Sequence, residues 1–403
     1  MSRTPLLLLL VLPSLACWSC GGEPARSGPM VRDSSGITVV ENALPAWPEE
    51  TGWRVTDTPS LDMGVMDGDP DYQFFQVAGV VRLSHGRIAV ANAGTSQVRF
   101  FDPEGRFLGA TGRKGGGPGE FEGLGWLHPT RGDSLLVYDW RNRRASVLAP
   151  DGAFARSFPL TVLGTAYGLP AVADVFPDGE ILLGADMFLS GEETVMGAAR
   201  DSAIYYVLDP EGEVRHTLGA FPGGSYYQTT DGESWVGGGL VFGPTGQAVV
   251  WDDGFYYGSA EAYEIQLRSR SGGLKRLIRL AYQRRPVTRE DIDTYIADRM
   301  ARARNEERRQ IYRTMFENMP FPDRMPAYDG LLVDAEGYLW VAEYRPPGDD
   351  QPRWRIFDDR GAYLGIVHTP KRFRIFEIGS DYLLGRWADE RDVEHIRMYG
   401  LVR

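Results

Sequence analysis

Six stretches of this chain share one pattern: a turn residue, a run of alternating apolar positions, then a polar residue. They are residues 86–92, 133–139, 179–184, 246–252, 337–343 and 380–385. Where no insertion intervenes, their starts lie 43 to 47 residues apart. A self-similar unit of that length predicts one supersecondary element stacked on copies of itself. Four copies are followed by a second phrase, read as Phe101-Asp-Pro-Glu-Gly105, Leu148-Ala-Pro-Asp-Gly152, Leu208-Asp-Pro-Glu-Gly212 and Phe357-Asp-Asp-Arg-Gly361. Pro presets the first turn position and Gly accepts positive φ at the end, so each phrase predicts a hairpin turn. Each unit then reads as three strands, and a preceding apolar run such as Gln76 to Val80 adds a fourth.

A four-stranded unit of this length predicts the blade of a β-propeller. The expected fold is all-β: a six-bladed β-propeller over residues 51–403, with a helical insertion between blades 4 and 5. The last unit supplies only three strands, near 373–378, 381–386 and 395–401. The segment Pro59 to Gly64, ahead of the first unit, is free to add the fourth and close the ring. The insertion is expected as one helix over 286–319. Thr288 reads as its N-cap, and Ile292, Tyr295, Ile296 and Met300 follow i, i+3, i+4 spacing. Seven Arg and seven Asp or Glu share its polar positions. That balance predicts a helix lying on a propeller face, or a lid over the channel, rather than one held by nucleic acid or membrane.

Charge narrows the partners. The net charge of −12 disfavours a phosphate backbone, so no nucleic-acid partner is expected. Residues 1–20 read as a signal segment: Arg3 is followed by an apolar run over 6–12, too short to span a bilayer. The two cysteines of the chain, Cys17 and Cys20, follow at once. This arrangement resembles a bacterial lipobox, which implies a lipid on Cys17, with Cys20 as the alternative. The chain is then exported and held at a bacterial membrane, facing the periplasm or the exterior. Residues 21–50 are expected as a tether and N-terminal segment, with the Gly- and Pro-containing stretch 21–29 as the tether.

Further residues carry a family resemblance. Gly119-Glu-Phe121, then Asp139-Trp-Arg-Asn-Arg-Arg144, Val147 and Gly152 resemble one NHL repeat. With Asp33 to Val40 and Gly112 to Phe121, the chain resembles bacterial six-bladed β-propeller lipoproteins of NHL-repeat type over roughly residues 30 to 400. The resemblance implies fold and export.

The chemistry is less defined. Arg113 to Gly119 is Gly-rich but lacks a Gly-Lys-Ser/Thr ending, and it reads as a connection between blades, with Glu120 paired to Arg113 and Phe121 wedged inside. His85, His128, His216, His368 and His395 have no zinc spacing. The residues closing the central strands are Asn92, Asp139, Ala185, Asp252, Glu343 and Arg386. Asn92, Asp139, Asp252, Glu343 and Arg386 are the candidate rim site. They either cap their own turns, where Asn in place of Asp139 would serve as well, or hold a cation such as Ca²⁺. The expected function is a non-catalytic binding or scaffold module for a protein, peptide or glycan, with no cofactor. The alternative is a metal-dependent hydrolase or lactonase using channel carboxylates, as the related lactonase propellers do.

Overall fold

The computed structural model describes residues 28–48, 51–160, 170–186, 196–230 and 235–403. The expected signal segment, residues 1–20 with Cys17 and Cys20, lies outside the described residues. Among the described residues, six sheets follow one another along the chain, antiparallel but for one parallel pair in the fourth. Sheet I holds strands Val77–Arg82, Ile88–Asn92, Gln97–Phe101 and Phe107–Thr111. Sheet II holds Leu124–Pro129, Leu135–Asp139, Arg144–Leu148 and Phe154–Pro159. Sheet III begins with Pro170–Val175 and Ile181–Asp186, lengthens into Gly197–Leu208 and Val214–Thr230, and ends with Trp235–Gly239. Sheet IV runs from Gln247–Trp251 to Leu274–Leu280, sheet V from Gly330–Val333 to Tyr363–His368, and sheet VI from Phe373–Ile378 to Glu394–Val402.

The core explains why these sheets form a ring. Each neighbouring pair encloses its own apolar cluster, because a four-stranded sheet is apolar on both faces and stable only when both are covered. Phe121 and Leu127 of sheet II and its approach meet Val98 and Phe100 of sheet I. Tyr138 and Phe158 meet Val175 and Tyr206 between II and III. Phe221 and Tyr205 meet Phe255 and Tyr257 between III and IV. Tyr256 and Tyr263 meet Tyr328 and Phe357 between IV and V. Trp340 and Ile356 meet Phe373 and Tyr399 between V and VI. Leu384 and Ile396 of VI meet Val80, Ile88 and Phe101 of I, which completes the circuit. The arrangement is that of a β-propeller. The dense aromatics over 255–257 and at Tyr263 are packing residues of this kind.

Closure uses the expected segment. Leu61–Met63 pairs antiparallel with the last strand in the register Met63 opposite Ile396 and Leu61 opposite Met398. Arg54–Val55 continues along the same strand, opposite Val402 and Leu401. Further upstream, Ile37–Asn42 lies parallel to Leu274–Leu280, and Met30–Ser34 pairs outside it. Residues 30–42, placed before the propeller by the sequence, thus lie on the edge of sheet IV.

Two local expectations change. The stretch 286–319 forms two helices, α1 (Arg289–Ala301) and α2 (Glu306–Glu317). Thr288 caps α1 in a reciprocal box with Asp291, and Asn305 caps α2 by accepting from Arg308 N at 2.9 Å. That second cap ends the continuous pattern, because Asn305 holds extended backbone angles. Met315, Phe316 and Met319 then pack on Tyr227, Val236 and Phe242 around sheet III. The second change concerns 246–252. Gln247–Trp251 is the first strand of sheet IV, whereas the other copies begin second strands. The second strand here is Gly254–Gly258. A buried apolar run reads alike in either position, since both are covered on two faces.

Candidate functional site

The first strands of all six sheets line one cavity of about 420 Å³ on the ring axis. Its wall is mostly apolar and carries five titratable groups, His128, Asp174, Asp334, Glu377 and Tyr382, of which Asp334 is taken up by Arg403 and three N–H donors. On Leu124–Pro129, Trp126 and His128 are two residues apart and share a face. Their rings stack at 5.1 Å with 13° between planes. Asp174 of sheet III faces them, its Oδ1 lying 3.5 Å from His128 Nδ1. Glu377 of sheet VI accepts a hydrogen bond from the Tyr382 hydroxyl. Asp174 and Glu377 both sit at register shifts of their first strands, Val172/Asp174 and Ile375/Glu377. A bulge re-aims a side chain, and here each carboxylate leaves the alternation of its apolar strand.

Each carboxylate also spans to the next sheet. Asp174 Oδ2 accepts from Val250 N at 2.8 Å, and Glu377 Oε2 accepts from Arg82 N at 2.7 Å. Enclosure governs the electrostatics. Burial raises Asp174 above the usual carboxylate range, with His128 opposing. Burial lowers His128 below its ordinary value, with Asp174 opposing. Burial raises Glu377, against the hydrogen bonds from Tyr382 and Arg82. Burial and then the Glu377 charge push the Tyr382 phenol up. The cavity thus offers carboxyl groups and an imidazole whose charged forms are all disfavoured by burial, a set suited to exchanging hydrogen bonds with a polar ligand.

The residues expected at one rim are dispersed. Asn92 accepts from Phe75 N at 2.8 Å and donates to Thr95 Oγ1 at 2.9 Å. Asp139, fully buried, accepts from the backbone N–H groups of Glu122, Gly123, Arg141 and Asn142 and from the Asn142 side chain. Asp252 lies at the opposite end of its sheet, in the turn after the first strand, on the wall of a separate cleft. Glu343 binds Arg353 and Arg355, and Arg386 binds Glu394. Only Glu343 and Arg386 share a cavity, between sheets V and VI. A Ca²⁺ ion needs six to eight free oxygens. Asp139 and Glu343 have given theirs to N–H donors, and among the described residues no three His, Cys, Asp or Glu side chains converge as a metal site. The donor set does not fit that ion.

The Gly-rich connection is a locked linker. Glu120 pairs with Arg113 at 2.7 Å and accepts from Gly117 N, while Arg144 donates to the carbonyls of Gly116, Gly117 and Glu120. Trp126, Asp174, Glu377 and Tyr382 went unremarked in the sequence. The signal was a carboxylate inside an apolar run, in Ala171-Val-Ala-Asp174-Val and in Ile375-Phe-Glu377-Ile.

No protein-family model matches this chain, and no curated protein matches it significantly. Solved structures resemble it in outline. An exported protein of Bacteroides fragilis is 11% identical, with a TM-score of 0.47, over 90% of this chain and 99% of that one. A gluconolactonase of Xanthomonas campestris is 13% identical, with a TM-score of 0.44, over 82% of this chain and 87% of that one. A virginiamycin B lyase of Staphylococcus aureus is 9% identical, with a TM-score of 0.42, over 87% of this chain and all of that one. The fold rests on the ring of six sheets itself. Among the described residues, no helix is long and apolar enough to cross a membrane.

Proposed function

We propose that this chain is a six-bladed β-propeller lipoprotein of NHL-repeat type, exported and lipid-anchored through Cys17 or Cys20, that binds a small polar ligand in its channel without transforming it. Sheets I to VI are the blades, and α1 and α2 are an insertion between the fourth and fifth. One observation carries the binding reading: a single cavity reached by all six first strands, holding His128–Asp174 on one side and Glu377–Tyr382 on another. The wall pairs an aromatic stack with directional polar groups, the composition of a pocket for a sugar or a short peptide.

The test is titration of a panel of mono- and disaccharides and dipeptides into the full chain, followed by Trp fluorescence and calorimetry. Saturable one-to-one binding by a panel member, weakened about tenfold or more in both His128→Gln and Asp174→Asn, is expected. Binding unchanged in both variants refutes the channel site. Ca²⁺-dependent hydrolysis of a lactone, lost in Asp174→Asn, replaces the binding reading with the hydrolase one. For the anchor, the double Cys17→Ser, Cys20→Ser change should release the protein from membranes. Mass spectrometry showing an unmodified mature N-terminus would reject lipidation.

A further inference from the structure

A second cavity, of about 500 Å³, opens where the first strands of sheets V and VI begin. It meets the channel wall at Leu331 and Leu332. Five arginines line it against two carboxylates, although the chain as a whole carries −12. Most of the compensation is already committed. Glu343 binds Arg353 at 2.8 Å and Arg355 at 2.6 Å. Arg386 pairs with Glu394 at 2.6 Å and Arg372 with Asp392 at 2.9 Å, both acids outside the cavity wall.

Two guanidinium groups, both solvent-exposed at the mouth, have no protein partner among the described residues. Among the described residues, neither Arg345 nor Arg374 makes a hydrogen bond or ion pair to protein, and Arg374 only stacks on the Phe376 ring at 4.9 Å. The remaining carboxylate, Asp329, accepts no hydrogen bond, and burial raises it above the usual range, with Arg345 opposing. A second observation is independent of charge. Arg386 Nε and Trp354 Nε1, both on residues of this wall, are buried without an acceptor. A buried donor left unpaired costs about 1–3 kcal/mol. The wall carries five cations against two carboxylates, of which Asp329 alone is unpaired.

An oxyanion corrects that imbalance, because a planar guanidinium fork meets carboxylate or phosphate oxygens two at a time. We propose that this mouth cavity is a binding subsite for an oxyanion, the carboxylate or phosphate group of a small ligand, with Arg374 and Arg345 as its contacts. The proposal goes beyond the channel reading and uses none of the His128, Asp174, Glu377 or Tyr382 chemistry.

The experiment titrates inorganic phosphate and, separately, glucuronate into the full chain at constant ionic strength, read by calorimetry and by Tm. Saturable one-to-one binding of at least one probe is expected, weakened at least about tenfold by Arg374→Gln and retained in part by Arg374→Lys. Phosphate alone, or glucuronate alone, assigns the class of oxyanion. Arg345→Gln repeats the test should Arg374→Gln lower the Tm. His128→Gln should bind the probes as the wild type does, which separates failure here from failure of the channel reading. No saturable heat with either probe, or equal binding by wild type and both Gln variants, overturns the subsite.

Discussion

Asp139→Asn exchanges one oxygen for an amide nitrogen at a fully buried position. Asp139 Oδ1 accepts three backbone N–H groups, from Gly123 at 2.9 Å, Asn142 at 3.0 Å and Arg141 at 3.1 Å. Oδ2 accepts from Glu122 N and Asn142 Nδ2, both at 2.7 Å. An ordinary helix cap uses one acceptor, which is why Asn and Asp serve there equally. Here both oxygens are engaged, and Asn has a single acceptor oxygen. Its best rotamer keeps three donors and turns its NH₂ toward the other two. Asn142 can flip its amide to relieve one contact, but that side chain also donates to Gly115 O at 3.2 Å and loses this bond. Hydrogen bonds to a charged group contribute about 1.5–3 kcal/mol each, so two of them put the cost at about 3–6 kcal/mol. For a domain of this size that corresponds to a Tm lower by roughly 4–8 °C. The assay is urea denaturation with an unchanged m-value, alongside calorimetry. Asp252→Asn is the control: exposed, with φ of +51°, a conformation Asn tolerates, it should change stability by less than about 0.5 kcal/mol. A loss below about 1 kcal/mol for Asp139→Asn refutes the five-donor account.

Three further outcomes are expected. His128 has its pKa lowered in the folded chain from the ordinary 6.5, so the unfolded chain takes up that proton first as pH falls below 6.5. The wild type therefore loses stability on acidification from that point, and His128→Gln should lose less; parallel urea midpoints for the two from pH 7 to 5 would refute the burial argument. Met63, 4% exposed in the cluster joining sheets VI and I, should cost about 3–5 kcal/mol when changed to Asp, whereas Met30→Asp on the exposed edge strand should be near neutral; equal Tm values for the two variants would deny that closure supports the whole ring. Gly152→Ala places a Cβ 2.6 Å from Phe100 at φ of +86° and should cost about 3 kcal/mol, against about 1 kcal/mol for Gly132→Ala at φ of +68° with open space around it; the order of their denaturation midpoints decides.

The turns were the most legible part of this chain. Asp102, Asp209 and Asp358 each accept backbone N–H bonds two and four residues on, so the residue types in those phrases reflect local chemistry. Closure by 59–64 was legible by counting strands, because a ring leaves one strand unprovided. Copy four was misread by a whole strand. Gln247–Trp251 and Gly254–Gly258 are both apolar and both follow turn residues, and only their pairing partners distinguish them. Asp252 was consequently assigned to the wrong end of its sheet. The channel groups were legible only as carboxylates inside apolar runs, with nothing to say where they point. Alternation predicts where the side chains of a regular strand point, but Asp174 and Glu377 follow register shifts, which depend on how the first strand meets the second.

Counting donors separates the acids that build this ring from those that can act in it. Asp139 accepts five hydrogen bonds, and Asp334 accepts from Glu336 N, Tyr338 N and Trp340 Nε1 and pairs with Arg403 at 2.6 Å. Asp389 accepts two backbone N–H groups and is held below the usual carboxylate range by them. Such carboxylates are fixed and fully occupied, and a ligand has nothing to gain from them. Asp174 and Glu377 differ in kind. Glu377 has one backbone N–H and one phenol, Asp174 has two backbone N–H groups and a neutral imidazole, and burial outweighs these and raises both. A carboxyl group in that condition is under-compensated. A polar ligand entering the channel replaces water that the apolar wall holds poorly, and its hydrogen bonds are made where the surrounding dielectric strengthens them. The same reasoning applies with opposite sign at the mouth, where Arg345 and Arg374 lack the acceptors that every neighbouring arginine has found. On the proposed reading, a ligand with a hydrogen-bonding body and an anionic end would meet both the under-compensated carboxyl groups on the axis and the exposed guanidinium groups at the mouth.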